Sequence, residues 1–166
     1  GHVDFSYEVS RALSACEGAI LIVDASQGVE AQTLANARLA EEAGLTLIPV
    51  INKIDLPQAD PESAKKQIRE ILGINMEPIL VSAKEGIGID EVLEKIVQEV
   101  SYPIGTLEDP LAALVFDSLY DPYKGVIIFV RVFDGELTPG KTLHFLSNGL
   151  ELETDEIGYL NPKPVR

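Results

Sequence analysis

The sequence predicts an α/β fold, a parallel sheet with helices, followed by the start of an all-β domain. Three observations carry this prediction. Apolar runs at Ala19–Val23, 45–51 and Pro78–Val81 alternate with stretches of helical periodicity, a pattern that builds right-handed βαβ crossovers and hence a parallel sheet. The first run is continuously aliphatic rather than alternating, which suits a strand covered on both faces. Beyond an acidic stretch at 101–110 containing Pro103, Gly105 and Pro110, the period changes from helical to strand-like.

Taken in order, residues 3–16 place Phe5, Val9, Ala12, Leu13 and Cys16 at helical spacing, with Asp4 as cap. After Gly18 comes the strand 19–23, ending at Asp24. Residues 30–43 form a helix with Ala31, Leu34, Ala35 and Leu39 on one face and Gly44 as its stop. The strand 45–51 follows. Asp60-Pro61 pairs an N-cap with a proline at the first helical position, opening a helix with the stripe Ala64, Ile68, Ile71 and Leu72 that Gly73 ends. Pro78–Val81 is the third strand. Ile89, Val92, Leu93, Ile96, Val97 and Val100 then make the cleanest amphipathic helix of the chain. Segments 111–119 and 126–133 are β-rich, Asp134-Gly135 marks a turn, and Leu143, Phe145 and Ile157 continue the β character into what should be a small barrel. The expected domains are therefore 1–100, a linker at 101–110, and a β domain at 111–166.

Composition excludes several classes. With 46% hydrophobic and 24% charged residues in 166, the chain is globular rather than disordered. It has no apolar run of membrane-spanning length, and Gly1–Phe5 are not expected to open a signal peptide. The net charge of −14 argues against a broad nucleic-acid-binding surface and against DNA as a partner. One cysteine, Cys16, excludes an internal disulfide, suits a reducing compartment, and reads as a small buried hydrophobe.

The candidate site lies at the carboxyl end of the second strand, where open parallel sheets bind ligands. Asn52, Lys53 and Asp55 arrive there. An ionised Asp55 has two acceptor oxygens and no donor, so it complements a base edge with two adjacent N–H groups, as guanine has, and not adenine. Lys53 can lay its stem along a base face and keep its ammonium wet, while Asn52 can tie neighbouring loops together. Ser82-Ala83-Lys84 reaches the end of the next strand, so two polar corners lie side by side.

The spacing N-K-x-D, then S-A-K one βαβ unit later, resembles the guanine-binding signature of the GTPase superfamily. Gly1-His2-Val3-Asp4-Phe5 resembles the second switch region of its translational members. The runs FDSLYDPYKGV and VSAKEGIGIDEVLE narrow the likeness to the LepA (elongation factor 4) family. The resemblance implies a Ras-like P-loop GTPase sheet, of which residues 1–100 are the C-terminal part, followed by the start of the translational β-barrel domain II, with Gly135-x-Leu137-x-x-Gly140 as its recurring turn. It implies that Asp55 pairs with guanine N1 and N2, that the Ala83 N–H reaches O6, and that the stems of Lys53 and Lys84 flank the base. It implies a Gly1 N–H on the γ-phosphate and His2 as the catalytic group that orients water. It further implies GTP or GDP as ligand with Mg2+, and the ribosome, both RNA and protein, as partner. The implied setting is bacterial and cytoplasmic, with peripheral attachment to the inner membrane, and the role is back-translocation or rescue of stalled elongation. An elongation-factor-G-like protein or a non-enzymatic ribosome-docking segment are the alternatives. No G-x-x-x-x-G-K-[S/T] loop, switch-one threonine or aspartate before Gly1 occurs. These residues are therefore expected to be the guanine-recognition half of a longer protein, with no metal ligands and with a sheet edge and an apolar face left uncovered.

Overall fold

A computed structural model of the chain describes residues 6–161 and 163–165. Its first part is a three-stranded parallel sheet, β1 (Gly18–Asp24), β2 (Thr46–Asn52) and β3 (Ile79–Leu80), in the order β1-β2-β3. The register runs from Gly18 opposite Thr46 to Asp24 opposite Asn52, and Val50 and Ile51 lie opposite Ile79 and Leu80. Asp24 and Asn52 therefore finish their strands at the same level.

Among the described residues four helices accompany the sheet, α1 (Ser6–Leu13), α2 (Ala31–Glu42), α3 (Pro61–Leu72) and α4 (Ile89–Glu99). The α3 boundaries follow local chemistry. The Asp60 carboxylate accepts from the Ser63 N–H at 3.0 Å, Pro61 occupies the first turn, and Gly73 closes the helix in the left-handed region at φ 69°. In α2 the stop is a Schellman turn. Gly44 N–H donates to Glu41 at 2.9 Å and Leu45 N–H donates to Ala40 at 3.0 Å. Gly44 has φ 72°, which a side chain would resist.

The core has two halves, one on each face of β2. Val23, Ala25, Ile51, Ala64 and Ile68 pack between the sheet and α3, whereas Ile48, Val50, Ile79, Val81 and Val92 pack under α4. Residues 48–51 of β2 are all buried, as expected for a central parallel strand.

Several sequence expectations are corrected by this packing. Strand β1 is not covered on both faces. Leu21 and Val23 are buried, but Ile20 and Ile22 are 43% and 60% exposed. The register sets Ile20 and Ile22 beside Ile48 and Val50, on the face that α4 covers over β2, and β1 is the sheet edge. Leu93 and Val97 of α4 are exposed as well, so only part of its apolar stripe meets the core. This matches the expected uncovered apolar face. The buried face of α2 is Ala37 and Ala40, with Leu34 and Leu39 half-buried and Ala31 and Ala35 in solvent. A helix so rich in alanine carries little apolar contrast to set its orientation. Cys16 is exposed rather than buried, since it falls in the turn after α1 with its thiol on the Ala12 carbonyl at 3.4 Å. Asp4 and Phe5 lie outside the described residues.

The later strands are antiparallel hairpins. Strand β4 (Ala112–Asp121) pairs with β5 (Gly125–Asp134), β6 (Thr142–Phe145) with β7 (Leu150–Glu153), and β8 (Tyr159–Asn161) with β9 (Lys163–Val165). At the β4–β5 turn the Asp121 carboxylate accepts from the N–H groups of Tyr123 and Lys124 at 2.7 and 2.9 Å. Ile157 lies in the loop between β7 and β8, not in a strand; one apolar residue among polar neighbours carries no period. The described residues fall into two compact units, one up to Pro103 with Phe116–Ile128, the other Ile104–Val115 with Phe129 onward. Among the described residues, no helix is long and apolar enough to cross a membrane.

Candidate functional site

Strand β2 ends at Asn52, and Lys53 follows at φ 65°. This left-handed turn costs a residue with a Cβ roughly 1–2 kcal/mol, and it swings the chain off the sheet toward Asp55. Backbone bonds hold the corner. Val81 N–H donates to Ile51 at 2.8 Å, Ile54 N–H to Val81 at 3.3 Å, and Ala25 N–H to Asn52 at 2.8 Å. The loop after β3 closes on itself, since Ser82 and Ile87 exchange N–H donors at 3.1 and 3.0 Å.

The two predicted corners come together. The Ser82 hydroxyl, fully buried, donates to Asp55 Oδ1 at 2.6 Å and accepts from Glu85 N–H at 3.2 Å. The Asn52 side-chain oxygen accepts from Ala83 N–H at 3.0 Å. Asn52 thus ties neighbouring loops as expected. The Ala83 N–H, which the resemblance assigns to guanine O6, donates to the Asn52 side-chain oxygen in this structure. The Ser82 hydroxyl, first, holds the Asp55 carboxyl below its ordinary range, with smaller help from Lys84 and Lys53. Asp55 is exposed and ionised at neutral pH, an acceptor-only group facing solvent. Lys84 is mostly exposed and pairs with Glu85 at 3.2 Å. Gly1 and His2 lie outside the described residues.

Sequence reasoning missed Asp24. Its Oδ2 meets Lys53 Nζ at 2.7 Å, and its Oδ1 accepts from both the N–H and the hydroxyl of Ser26 at 2.8 and 2.6 Å. The Lys53 bond, then the Ser26 hydroxyl, lower its pKa to about 2, and the same pair raises that of Lys53. A signal was present, since Asp24 closes an aliphatic run next to the N-K-x-D strand. Only the parallel register puts it level with Asn52.

A cleft of about 500 Å³ in the first unit is lined by Leu34, Ala37, Leu45, Leu47, Ile71 and Ile74, among others. Leu45 and Leu47 stand at the amino end of β2, opposite the carboxyl-end corners where a parallel sheet takes its ligand. Among the described residues no group of three or more His, Cys, Asp or Glu could hold a metal ion.

A parallel α/β sheet with N-K-x-D and S-A-K at adjacent carboxyl-end corners has the layout that the GTPase-superfamily resemblance implies. The chain belongs to the elongation factor Tu GTP binding domain family, whose model matches residues 1–102. Three of its curated relatives share one name. It is 60% identical over 100% of its length to "Elongation factor 4" of Aquifex aeolicus, 56% over 99% to that of Streptococcus gordonii, and 54% over 100% to that of Halalkalibacterium halodurans. The chain spans 28%, 27% and 27% of those relatives.

Proposed function

We propose that Asn52, Lys53, Asp55, Ser82, Ala83 and Lys84 form the guanine-selecting part of a GTP-binding, GTP-hydrolysing translation factor that acts on the ribosome. The observation that carries this reading is the pair of short links between the corners, Ser82 to Asp55 and Asn52 to Ala83. They hold an ionised carboxylate at the carboxyl end of the sheet before any ligand arrives, which reduces the ordering cost of binding. Asp55 would accept from guanine N1 and N2, and the stems of Lys53 and Lys84 would lie along the base. Residues 1–100 then belong to the GTP-binding domain, 101–110 to a linker and 111–166 to the beginning of a β-barrel domain. A role in back-translocation or rescue of stalled elongation, and a cytoplasmic location, rest on the family resemblance, and the relatives named Elongation factor 4 support a translation factor. Peripheral membrane attachment rests on that resemblance alone. Mg2+ would accompany the nucleotide phosphates in the full-length protein, on ligands outside this sequence, as the resemblance implies.

Fluorescent GDP bound to a full-length protein carrying this chain tests base selection. Unlabelled GDP should displace it at concentrations at least about a hundredfold below ADP, given the weight of a paired carboxylate; equal displacement would overturn the assignment. Hydrolysis is assigned to His2, with the Gly1 N–H on the γ-phosphate, because phosphoryl transfer depends mainly on positioning and charge stabilisation. His2→Ala should slow ribosome-stimulated GTP hydrolysis on the order of a hundredfold and leave GDP affinity unchanged. Stimulated turnover at the parental rate would remove His2 from the mechanism.

A further inference from the structure

We infer that Asp24 is a positioning residue for nucleotide binding, which holds Lys53 across the ends of β1 and β2 so that its stem forms a preset wall for the base. The inference rests on the guanine-site reading above and extends that site to a strand end outside both motifs.

Strand register sets the geometry. Asp24 and Asn52 are opposite one another at the ends of β1 and β2, so the residue after Asn52 emerges within reach of the Asp24 side chain. Lys53 takes up a left-handed backbone there, and its ammonium meets Asp24 Oδ2 at 2.7 Å. The Asp24 side chain is only 16% exposed while that of Lys53 is 53% exposed. The carboxylate is thus the fixed partner and the lysine the one being held.

The fixing is complete at the carboxylate. Oδ1 accepts twice from Ser26 and Oδ2 takes the ammonium. Both oxygens are thus engaged within the protein, so Asp24 acts on a ligand through Lys53 and not by touching it. A lysine stem has large rotamer freedom, and a stem ordered before binding does not lose that freedom when the base arrives. The apolar stem is also the part of lysine suited to a base face. Asp55 selects the base edge; Asp24 prepares the surface on which the base lies.

A double-mutant cycle in a full-length protein carrying this chain tests the inference, read by titration with fluorescent GDP. Asp24→Asn keeps an oxygen for Ser26 and loses the charge on Lys53, so affinity should fall about fivefold. Lys53→Met keeps an unbranched stem and loses the ammonium; in that background Asp24→Asn should change affinity less than about twofold. An unchanged affinity for Asp24→Asn, or the same loss with Met at position 53, would overturn the inference, since the second result assigns Asp24 to the Ser26 turn alone. Equal displacement by GDP and ADP in the parent protein would instead sink the guanine-site reading, and this inference with it.

Discussion

Asp55→Asn is expected to move base preference from guanine to xanthine. Guanine offers two donors side by side, N1–H and the 2-amino group, and an ionised carboxylate offers two acceptors. The amide replaces one acceptor oxygen by an NH2 donor, which faces the guanine amino group donor to donor. Xanthine carries a carbonyl oxygen at that place and accepts from it. Removing a charge-assisted bond and leaving an unpaired donor should weaken GDP by at least about a hundredfold, with XDP becoming the tighter ligand. The fold should survive, because Oδ1 of the amide still accepts from the Ser82 hydroxyl that now donates at 2.6 Å. Competition between GDP and XDP reads the outcome directly, and an unchanged ratio would end the assignment of Asp55 to the base edge.

The second large effect concerns the strand that carries the site. Ile51 is fully buried, lies in the central strand, and packs with Val23, Ala25, Ala64 and Ile68. Ile51→Ala removes this contact and leaves a cavity that the paired strands on either side cannot close. A cost of about 2–5 kcal/mol is expected, a large share of the roughly 5–15 kcal/mol that stabilises a typical domain. For a chain of this size the melting temperature should fall by roughly 10 °C. Ile22→Ala is the matched control, the same deletion at a side chain 60% exposed, and should be close to neutral. Thermal unfolding followed by circular dichroism compares the two. A loss for Ile51→Ala no greater than for Ile22→Ala would refute the placement of the core on β2.

What the sequence made legible was chemistry between near neighbours. Asp60, Pro61 and Gly73 announced both ends of α3, since a cap and a left-handed stop act within a few residues of themselves. The corners Asn52–Asp55 and Ser82–Lys84 were legible for a related reason: an apolar run predicts a strand, and a strand delivers the residues after it to one end of the sheet. The misses share a cause as well. The exposure of Ile20, Ile22 and Cys16 depends on which neighbour covers them. Ile22 and Val23 are alike as residues, yet one is 60% exposed and the other 1%, because the pleat turns them to opposite faces of an edge strand.

The Asp24–Lys53 pair marks the same division at the site. The residue types, their order and the helix and strand periods were determined by the sequence alone, as was the presence of an acceptor-only carboxylate at a strand end. Only the tertiary structure decided that Asp24 stands level with Asn52, that Asn52 takes the Ala83 N–H, and that Ser82 is buried against Asp55. These contacts join residues 27–31 positions apart, or depend on the pairing of two parallel strands separated by a helix. Their partners are chosen by strand register and by the burial of Val50 and Ile51 on opposite faces of one strand, neither of which is a property of any local stretch.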